Sequence, residues 1–431
     1  MQCSAAVSRG AAAGPERLRG FAPRPDHVEV PEGDHGRAMK TFRIGVIGLG
    51  QRIGHVLSAM QEMGGSLQLS AYVDAAPVGA PVLEQAVIPL GRPCADPDQL
   101  FAHGPYDLVM VGSPNHLHFA HVNRALDAGF PVFAEKPLVR TEAETLALAG
   151  RLAGGRTPPL FVGLVMRSMP IVKAVIARVE SGELGEIVSI DATEHLPPEH
   201  GGYLARNWRR KAEWGGSYLL DKVCHDFDIF GRIAGARPAR VASFGGRRIF
   251  TAERTERPRR YDTGEEAFVQ RDAGWMAAND PFHSDMDVTD HQTAMVEYDN
   301  QVRLTFHANS CVALPERRWY VAGTEGTLIA DLVRNKLMVR RVLSRKKPER
   351  IEYGGLTADA HNGADQAMAL DLMATMERGV PFPVSPFESL EAGLTVMAID
   401  RAMALGEMLD CAPMWAAYDE ARAPAKPPVK A

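Results

Sequence analysis

The sequence has few cysteines, no long apolar run and no large excess of charge of either sign. Its five cysteines, Cys3, Cys94, Cys224, Cys311 and Cys411, are scattered and form no Cys-x-x-Cys pair. Neither a disulfide framework nor a cysteine zinc site is implied, and a reducing, cytoplasmic setting is favoured. No apolar run approaches the roughly 18 residues that a transmembrane helix needs. A net charge of -5 argues against nucleic acid or an anionic membrane as the main partner.

Residues 1–38 differ in composition from the rest of the chain. They are rich in alanine, glycine, proline and arginine, show no hydrophobic period, and lack the apolar segment of a secretory signal. We expect a disordered extension here, with a targeting role as the alternative. Over the whole chain, 45% hydrophobic and 23% charged residues are typical of a globular protein with a sizeable core.

Strand-like and helical segments alternate from residue 41 to about 165. Such alternation predicts the α/β class, with a doubly wound parallel sheet and helices on both faces. We therefore predict a dinucleotide-binding Rossmann domain at residues 39–166. Ligands of these sheets bind at the carboxyl ends of the strands, so polar residues there are candidates for binding. The strand-like runs lie at 43–47, 67–73, 107–112, 131–134 and 160–165.

The first predicted strand ends in a glycine turn that suits an anion. Gly48 and Gly50 lack side chains, so the main chain can approach a pyrophosphate, and the next helix offers free N–H groups and partial positive charge. The third glycine, Gly54, follows Gly50 by four residues instead of three. A glycine turn without a nucleotide role is the alternative. We assign cofactor binding to Gly48, Gly50, Gln51, Arg52 and Ile53.

An acidic residue ends the second predicted strand. Asp74 lies 24 residues after Gly50, where a carboxylate can hold the ribose hydroxyls of NAD and repel the 2′-phosphate of NADP. No arginine follows Asp74 directly, so NAD is favoured over NADP. A solvated strand end is the alternative for Asp74 alone. Together, the glycine turn and Asp74 predict dinucleotide binding.

Polar side chains also follow two later strands of the same predicted sheet. Residues 113–118 come after one strand, and residues 135–137 after the next. Both stretches lie at carboxyl ends of strands, so they extend the predicted cofactor site. The added residues are Ser113, Pro114, Asn115, His118, Glu135 and Lys136.

After residue 166 the pattern changes to strands with few helices. Residues 301–306 alternate polar and apolar side chains and follow a turn at Asp299 and Asn300, which predicts an antiparallel hairpin at residues 291–307. Residues 253–289 are polar and predict a long loop, and two helices, 364–378 and 388–409, close the chain. We predict a substrate-binding and oligomerisation domain at residues 167–431, built on a large open, mostly antiparallel sheet.

Three side chains are candidates for catalysis. Lys136, restricted to extended geometry by Pro137, can point into the cleft above the nicotinamide and bind a substrate hydroxyl or developing oxyanion. Asp221 and His225 are four residues apart, so on a helix they share a face and the carboxylate can orient the imidazole. His225 would then be the general base for an alcohol proton. A surface lysine and a structural Asp–His pair are the alternatives.

Several side chains could bind a polyhydroxylated substrate, which needs both hydrogen-bond donors and an apolar face. Asn207, Trp208 and Arg209 lie together in a predicted loop, for which a solvated basic loop is the alternative. The predicted substrate site consists of Arg167, Asn207, Trp208, Arg209, Lys136 and His225.

A metal site could also be drawn from four residues of the polar segment. These are His283, Asp285, Asp287 and His291. Loops are commonly this polar and nothing else in the sequence demands a metal ion, so we predict none.

Taken together, six segments resemble the Gfo/Idh/MocA family of nucleotide-dependent sugar and cyclitol oxidoreductases. The resemblance covers residues 42–405, and implies a Rossmann domain followed by an open-sheet α/β domain with the active site between them. It also implies that Lys136, Asp221 and His225 carry catalysis and that the Lys136–Pro137 peptide is cis. The matching segments lie at 47–50, 113–116, 125–129, 135–137, 215–225 and 323–328.

The chain also departs from this family pattern. Relatives commonly have glycine where this chain has Val223, and lysine is less usual at position 222. On a helix, Lys222 lies one turn from His225, so it bears on the charge balance of the predicted site.

These observations lead us to expect an NAD-dependent oxidoreductase that acts on a secondary hydroxyl of a sugar, sugar acid or cyclitol. The alternatives are a glycosidase that retains NAD and oxidises its substrate transiently, and a non-catalytic regulator that senses a nucleotide. The expected partners are a small polyol or sugar and further copies of the chain, which would associate through the open sheet.

Overall fold

Alternating strands and helices between residues 41 and 162 build a six-stranded parallel sheet. Its order is β3-β2-β1-β4-β5-β6. The chain adds strands to one side of β1 and then, from β4 onward, to the other side, which leaves a crevice at the carboxyl ends of β1 and β4. The strands are β1 (Thr41–Ile47), β2 (Ser66–Val73), β3 (Arg92–Pro93), β4 (Leu108–Val111), β5 (Val132–Ala134) and β6 (Leu160–Val162). The helices are α1 (Gln51–Glu62), α2 (Ala80–Gln85), α3 (Pro97–Ala102), α4 (Asn115–Asp127) and α5 (Glu142–Ala153).

The structure is a computed structural model that describes residues 40–268, 275–278, 280–354 and 362–423. The extension predicted at residues 1–38 lies outside the described residues. From Lys40 onward the chain forms one compact unit. The predicted domain boundary after residue 166 falls within a short 3-10 helix, Val165–Ser168, and the division into domains at 39–166 and 167–431 stays a proposal.

A second sheet has nine strands in the order β14-β13-β12-β11-β7-β10-β9-β8-β15. All neighbouring pairs are antiparallel except β7 with β10, which is parallel. The predicted hairpin at residues 291–307 is confirmed as β9 and β10. The strands are β7 (Ile187–His195), β8 (Pro238–Gly246), β9 (His291–Tyr298), β10 (Arg303–Asn309), β11 (Glu316–Gly323), β12 (Gly326–Asp331), β13 (Lys336–Arg341), β14 (Glu349–Glu352) and β15 (Leu409–Asp410).

Helices cover one face of the second sheet. Phe230 packs on Phe306 and Trp319 with ring centroids 5.9 and 5.6 Å apart, which buries this face in an aromatic core. Phe230 lies in the long helix α9 (Tyr218–Ala234). The helices are α6 (Pro170–Glu180), α7 (Pro198–Arg206), α8 (Ala212–Gly215), α9 (Tyr218–Ala234), α10 (Ala364–Arg378), α11 (Pro386–Leu405) and α12 (Ala412–Arg422).

The chain ends differently from the prediction of two closing helices. Helix α12 follows α11 as a third, and its Trp415 donates a hydrogen bond from Nε1 to the carbonyl of Pro238 at 2.8 Å. Helix α12 packs against α5, and α10 packs against α1, so the last segments of the chain return to the first sheet. The elements that α12 packs against are distant from it in sequence, so the local sequence pattern did not reveal this helix. No helix among the described residues has the length and apolar character needed to cross a membrane.

The segment predicted as a polar loop at 253–289 is anchored by aromatic residues. Phe268 and Phe282 lie in this segment and pack edge-to-face at 5.2 Å, and both contact Phe250. All three are buried. The described part of this loop is therefore held by apolar packing to Phe250, just after β8, although its composition is polar.

Candidate active site

The glycine turn after β1 has the shape that a pyrophosphate needs. Gly48 has a φ of +83°, and a Cβ there would lie 2.3 Å from the amide nitrogen of Ser113, so only glycine fits. Gly50 is the N-cap of α1 and supplies no side-chain cap. The first-turn N–H groups of Gln51, Arg52 and Ile53 therefore lack helical partners and are available to an anion. The side chain of Ile53 is fully buried, so only its main chain can contribute.

The late third glycine has a packing role. A Cβ on Gly54 would lie 3.0 Å from the carbonyl oxygen of Gly79, so this glycine lets α1 approach the segment that leads into α2. Nearby, the amide of Gly48 donates to the carbonyl of Val73 at 2.8 Å. This bond places the end of β2, and with it Asp74, beside the glycine turn. Asp74 accepts a hydrogen bond from the Ala76 amide at 2.8 Å.

A buried histidine ties together the loops that follow β4 and β5. The Nδ1 of His118 lies 2.8 Å from the carbonyl of Pro137, and its Nε2 lies 2.7 Å from the carbonyl of Ser113. Burial lowers the pKa of His118, although both carbonyls favour its protonated form. The His118 ring contacts the protein's own main chain and fixes the two loops that border the crevice. Its predicted role in cofactor binding stays a prediction.

The carboxylate of Glu135 points toward α1. Arg52 donates from Nε to Glu135 Oε1 at 3.1 Å and pairs through Nη1 with Asp365 at 2.6 Å. Glu135 and Arg52 were both predicted to bind the cofactor, and the structure pairs them with each other at the base of the glycine turn. The adjacent Lys136–Pro137 peptide is cis, as expected.

Lys136 and α9 meet at the carboxyl edge of the parallel sheet. The ammonium of Lys136 donates a hydrogen bond to the main-chain carbonyl of Asp221, on the first turn of α9. His225 lies one turn further along the same helix, and both Asp221 and His225 are buried. From the other loop, Asn115 donates from Nδ2 to Asp221 Oδ1 at 2.9 Å and to the Gly215 carbonyl at 2.8 Å. The structure thus gathers the three predicted catalytic residues.

An arginine pairs with the carboxylate of Asp221. Arg209 donates from Nε to Asp221 Oδ1 at 3.2 Å and from Nη1 to the Tyr203 hydroxyl at 2.6 Å. Its guanidinium also lies 4.2 Å from the ring centroid of Trp208. Burial would raise the pKa of Asp221, but the charges of Lys136 and Arg209 and the bond from Asn115 lower it overall. Asp221 therefore stays ionised at neutral pH.

The predicted substrate residues have different positions. Asn207 and Trp208 are buried, and both support Arg209: Asn207 Oδ1 accepts from Arg209 Nη1 at 3.0 Å. The stretch predicted as a loop is a 3-10 helix, Trp208–Arg210. The structure argues against a substrate role for Arg167, because its guanidinium is buried and donates to both carboxylate oxygens of Asp228 at 2.6 and 2.8 Å.

The four residues considered for a metal each have a separate partner. His283 contacts Asp280 at 2.9 Å and His291 contacts Asp290 at 2.9 Å. Asp285 pairs with Arg210 and Asp287 with Lys211. Among the residues with described positions, no group of three or more potential metal ligands comes together.

Sequence reasoning missed the residues that surround the site from the second sheet. Tyr203 bonds Arg209, and Glu194 of β7 lies 3.7 Å from the ammonium of Lys222. Neither residue belongs to a motif, and each reaches the site only because the chain folds back on itself. A local pattern could not have identified them.

Two segments of the chain match known protein-family models. Residues 42–154 match the family model described as "Oxidoreductase family, NAD-binding Rossmann fold", and residues 172–329 match that of the GFO/IDH/MocA C-terminal domain. The chain belongs to the Gfo/Idh/MocA family. The expected family, fold class and NAD-binding Rossmann region are thereby confirmed.

Curated members of the Gfo/Idh/MocA family match part of the chain. A putative oxidoreductase, YteT, of Bacillus subtilis is 24% identical over 150 residues, covering 34% of each chain. An inositol 2-dehydrogenase of Rhizobium meliloti is 27% identical over 206 residues, covering 47% of this chain and 58% of its own. The chain thus spans between a third and three fifths of the length of these relatives.

Solved structures share the fold over more of the chain. A levoglucosan dehydrogenase in complex with NADH and L-sorbose aligns with a TM-score of 0.70 at 19% identity, covering 86% of this chain and 99% of its own. An NAD binding oxidoreductase from Klebsiella pneumoniae aligns with a TM-score of 0.66 at 21% identity and the same coverage. At these identities the likeness establishes the Gfo/Idh/MocA fold alone.

Proposed function

We propose that this protein is an NAD-dependent oxidoreductase that transfers a hydride between a secondary hydroxyl of a small polyol or sugar and the nicotinamide. The observation that carries the proposal is the hydrogen bond from the Lys136 ammonium to the main chain of Asp221, one helical turn from His225. An amine, a carboxylate and an imidazole thereby border the crevice where Rossmann folds bind their cofactors.

Each of these side chains has a distinct task in the proposed reaction. When bound, NAD supplies the acceptor for the hydride. The Lys136 ammonium donates a hydrogen bond to the substrate oxygen and stabilises the negative charge that develops there. His225 accepts the hydroxyl proton as general base. Asp221, kept ionised by Lys136 and Arg209, favours the protonated imidazole that results.

The hydrogen-bonding groups of the site and the names of similar proteins together support a substrate class. Arg209, Tyr203 and Lys136 offer several hydrogen-bonding groups in one place, as polyhydroxylated molecules require. Similar proteins include an inositol 2-dehydrogenase and a levoglucosan dehydrogenase. We therefore propose a sugar, sugar acid or cyclitol as the substrate.

A panel of sugars, polyols and sugar acids with NAD tests the proposal through the absorbance of reduced nicotinamide. His225→Ala should lower kcat on any active substrate by roughly 10²- to 10⁴-fold, while NADH binding, measured by fluorescence titration, stays unchanged. His283→Ala, at an exposed histidine of another segment, is the matched control and should keep full activity. Equal turnover in His225→Ala would refute the assignment of the base.

The same panel separates the two other candidate functions. Cleavage of an aryl glycoside without accumulation of NADH would identify a glycosidase that retains its cofactor. NADH binding without turnover of any panel member would favour a nucleotide-sensing regulator. The convergence of Lys136, Asp221 and His225 supports the dehydrogenase over both.

A further inference from the structure

We propose that Lys222, together with His200, forms a subsite that binds a carboxylate of the substrate, so that sugar acids are preferred over neutral polyols. This inference rests on the proposed function and narrows its substrate class. Neither residue belongs to the set predicted from the sequence to bind substrate. The subsite lies on the same turn of α9 as Asp221 and one turn from His225.

The ammonium of Lys222 has more donors than the protein uses. Its Nζ donates to Nε2 of His200 at 3.0 Å, and Glu194 Oε1 is 3.7 Å away, beyond hydrogen-bonding distance. An ammonium carries three donors, so among the described residues one is matched. The side chain is 18% exposed, so these remaining donors are partly desolvated and within reach of a ligand.

The charges around Lys222 leave an excess of positive charge. Three cations meet here from separate elements, Lys136, Arg209 and Lys222, and they face the carboxylates of Asp221 and Glu194. Glu194 is also shared, because Arg317 Nη2 lies 3.1 Å from its Oε2. An anion entering the site would balance this excess, whereas a neutral polyol would not.

Arg317 does not add to the excess. Its guanidinium forms a two-pronged pair with Asp226, which is fully buried, and Trp319 donates to the same carboxylate at 3.3 Å. The charges of Arg317 and Asp226 therefore neutralise each other on the side of the second sheet. The uncompensated charge therefore lies among Lys222, Lys136 and Arg209.

His200 and Arg209 both contact Tyr203. The His200 ring packs edge-on against Tyr203 at 6.3 Å, and the Tyr203 hydroxyl accepts a hydrogen bond from Arg209. Tyr203 thus links the carboxylate subsite to the Arg209–Asp221 pair. A substrate with a hydroxyl near His225 and Lys136 and a carboxylate near Lys222 would match both groups of side chains.

The titration of Lys222 supports the same subsite. Burial first, and then the charges of Arg317 and Lys136, lower its pKa to about 8, although Glu194 and Asp221 oppose this. A bound carboxylate would stabilise the protonated form. The charged or titratable groups that act on Lys222 from neighbouring elements and its own helix are Asp221, His200, Glu194, Arg317 and Lys136.

The test compares substrates that differ in the carboxylate, such as gluconate with glucitol and glucuronate with glucose. In the wild type, kcat/KM with NAD should favour the acid by at least about tenfold. Lys222→Met should lower kcat/KM for acids by about 10- to 100-fold, mainly through KM, and leave neutral substrates within about threefold. Lys222→Arg keeps the charge and should retain the preference. Lys336→Met, at an exposed lysine of β13, is the matched control.

Other outcomes overturn the subsite while sparing the proposed function. A wild type that prefers neutral polyols, or a Lys222→Met variant that loses acids and neutral substrates equally, would refute it although NADH is still formed. If thermal melting shows that Lys222→Met is not folded, the test uses the wild type alone. The wild-type preference for acids should decline as pH rises through about 8. A preference that does not change with pH would refute the subsite. Absence of NADH from every substrate would instead refute the proposed function.

Discussion

The carboxylate of Asp221 joins three parts of the chain. It accepts a hydrogen bond from Asn115, pairs with Arg209, and its main-chain carbonyl binds Lys136. A buried carboxylate without partners would be costly, and here the loss of solvation is offset by two cations and an amide. This residue therefore fixes the relative positions of the crevice loops and of α9, in addition to its electrostatic effect on His225.

Asp74 is predicted to set the choice between the two nicotinamide dinucleotides. Replacing it by serine removes a negative charge that would repel a 2′-phosphate. The repulsion at a partly exposed site is on the order of 1 kcal/mol, so Asp74→Ser should improve the ratio of NADP to NAD binding by about 5- to 10-fold. Fluorescence titration with both reduced cofactors measures this ratio. An unchanged ratio would show that Asp74 does not face the ribose.

Lys222 gives stability a defined dependence on pH. Burial in the folded protein lowers the pKa of Lys222 from its ordinary 10.5 to about 8. Between these values the unfolded chain binds more protons, so the contribution of Lys222 to the free energy of unfolding rises with pH. Urea denaturation at pH 8 and 10.5 should therefore show wild type gaining on the order of 1–3 kcal/mol relative to Lys222→Met. A flat difference would contradict the burial of this ammonium.

At the scale of elements, α9 holds the site together, and its N-terminus can be tested. Ser217 Oγ accepts from the Leu220 amide at 3.0 Å and caps the turn that carries Asp221. Ser217→Ala should destabilise the protein by about 1 kcal/mol and raise KM, because the first turn is less well fixed. Chemical denaturation and steady-state kinetics check both effects. Ser181→Ala, at the C-terminal end of α6, is the control for serine removal and should leave KM unchanged.

Elements with a clear local pattern could be predicted from the sequence. The spacing of Asp221 and His225 and the apolar residues around them identified α9, and alternation identified the hairpin of β9 and β10. Helix α12 and the aromatic anchoring of the loop containing Phe268 could not be predicted, because their partners are distant in sequence. The buried pair of Arg167 with Asp228 could not be predicted for the same reason, because nothing local indicates this partner.

At the scale of the whole molecule, the second sheet has one face that no helix of the described residues covers. Phe244 on β8 and Met295 on the neighbouring strand β9 point to this face, as the strand register shows, and so does Tyr320 on β11, beyond β10 and β7. Phe244 is 74% and Met295 57% exposed. Exposed apolar residues that cluster in this way are typical of interaction surfaces.

We predict that copies of the chain associate through this face. Wild type should elute as a dimer or larger oligomer in size-exclusion chromatography with light scattering. The double variant Phe244→Asp, Met295→Asp should shift toward the monomer, because it places charges where apolar side chains would be buried. Val87→Asp, at an exposed apolar residue outside this sheet, should leave the mass unchanged. A monomeric wild type would contradict the prediction.

The most direct test of the proposed chemistry is the rate of NADH formation by wild type and Lys136→Met on the sugar, polyol and sugar acid panel. The ammonium of Lys136 is proposed to stabilise charge on the reacting oxygen, so its removal should lower kcat by roughly 10²- to 10³-fold while NADH still binds. Equal rates in wild type and variant, or no NADH from any substrate with either protein, would contradict the proposed function.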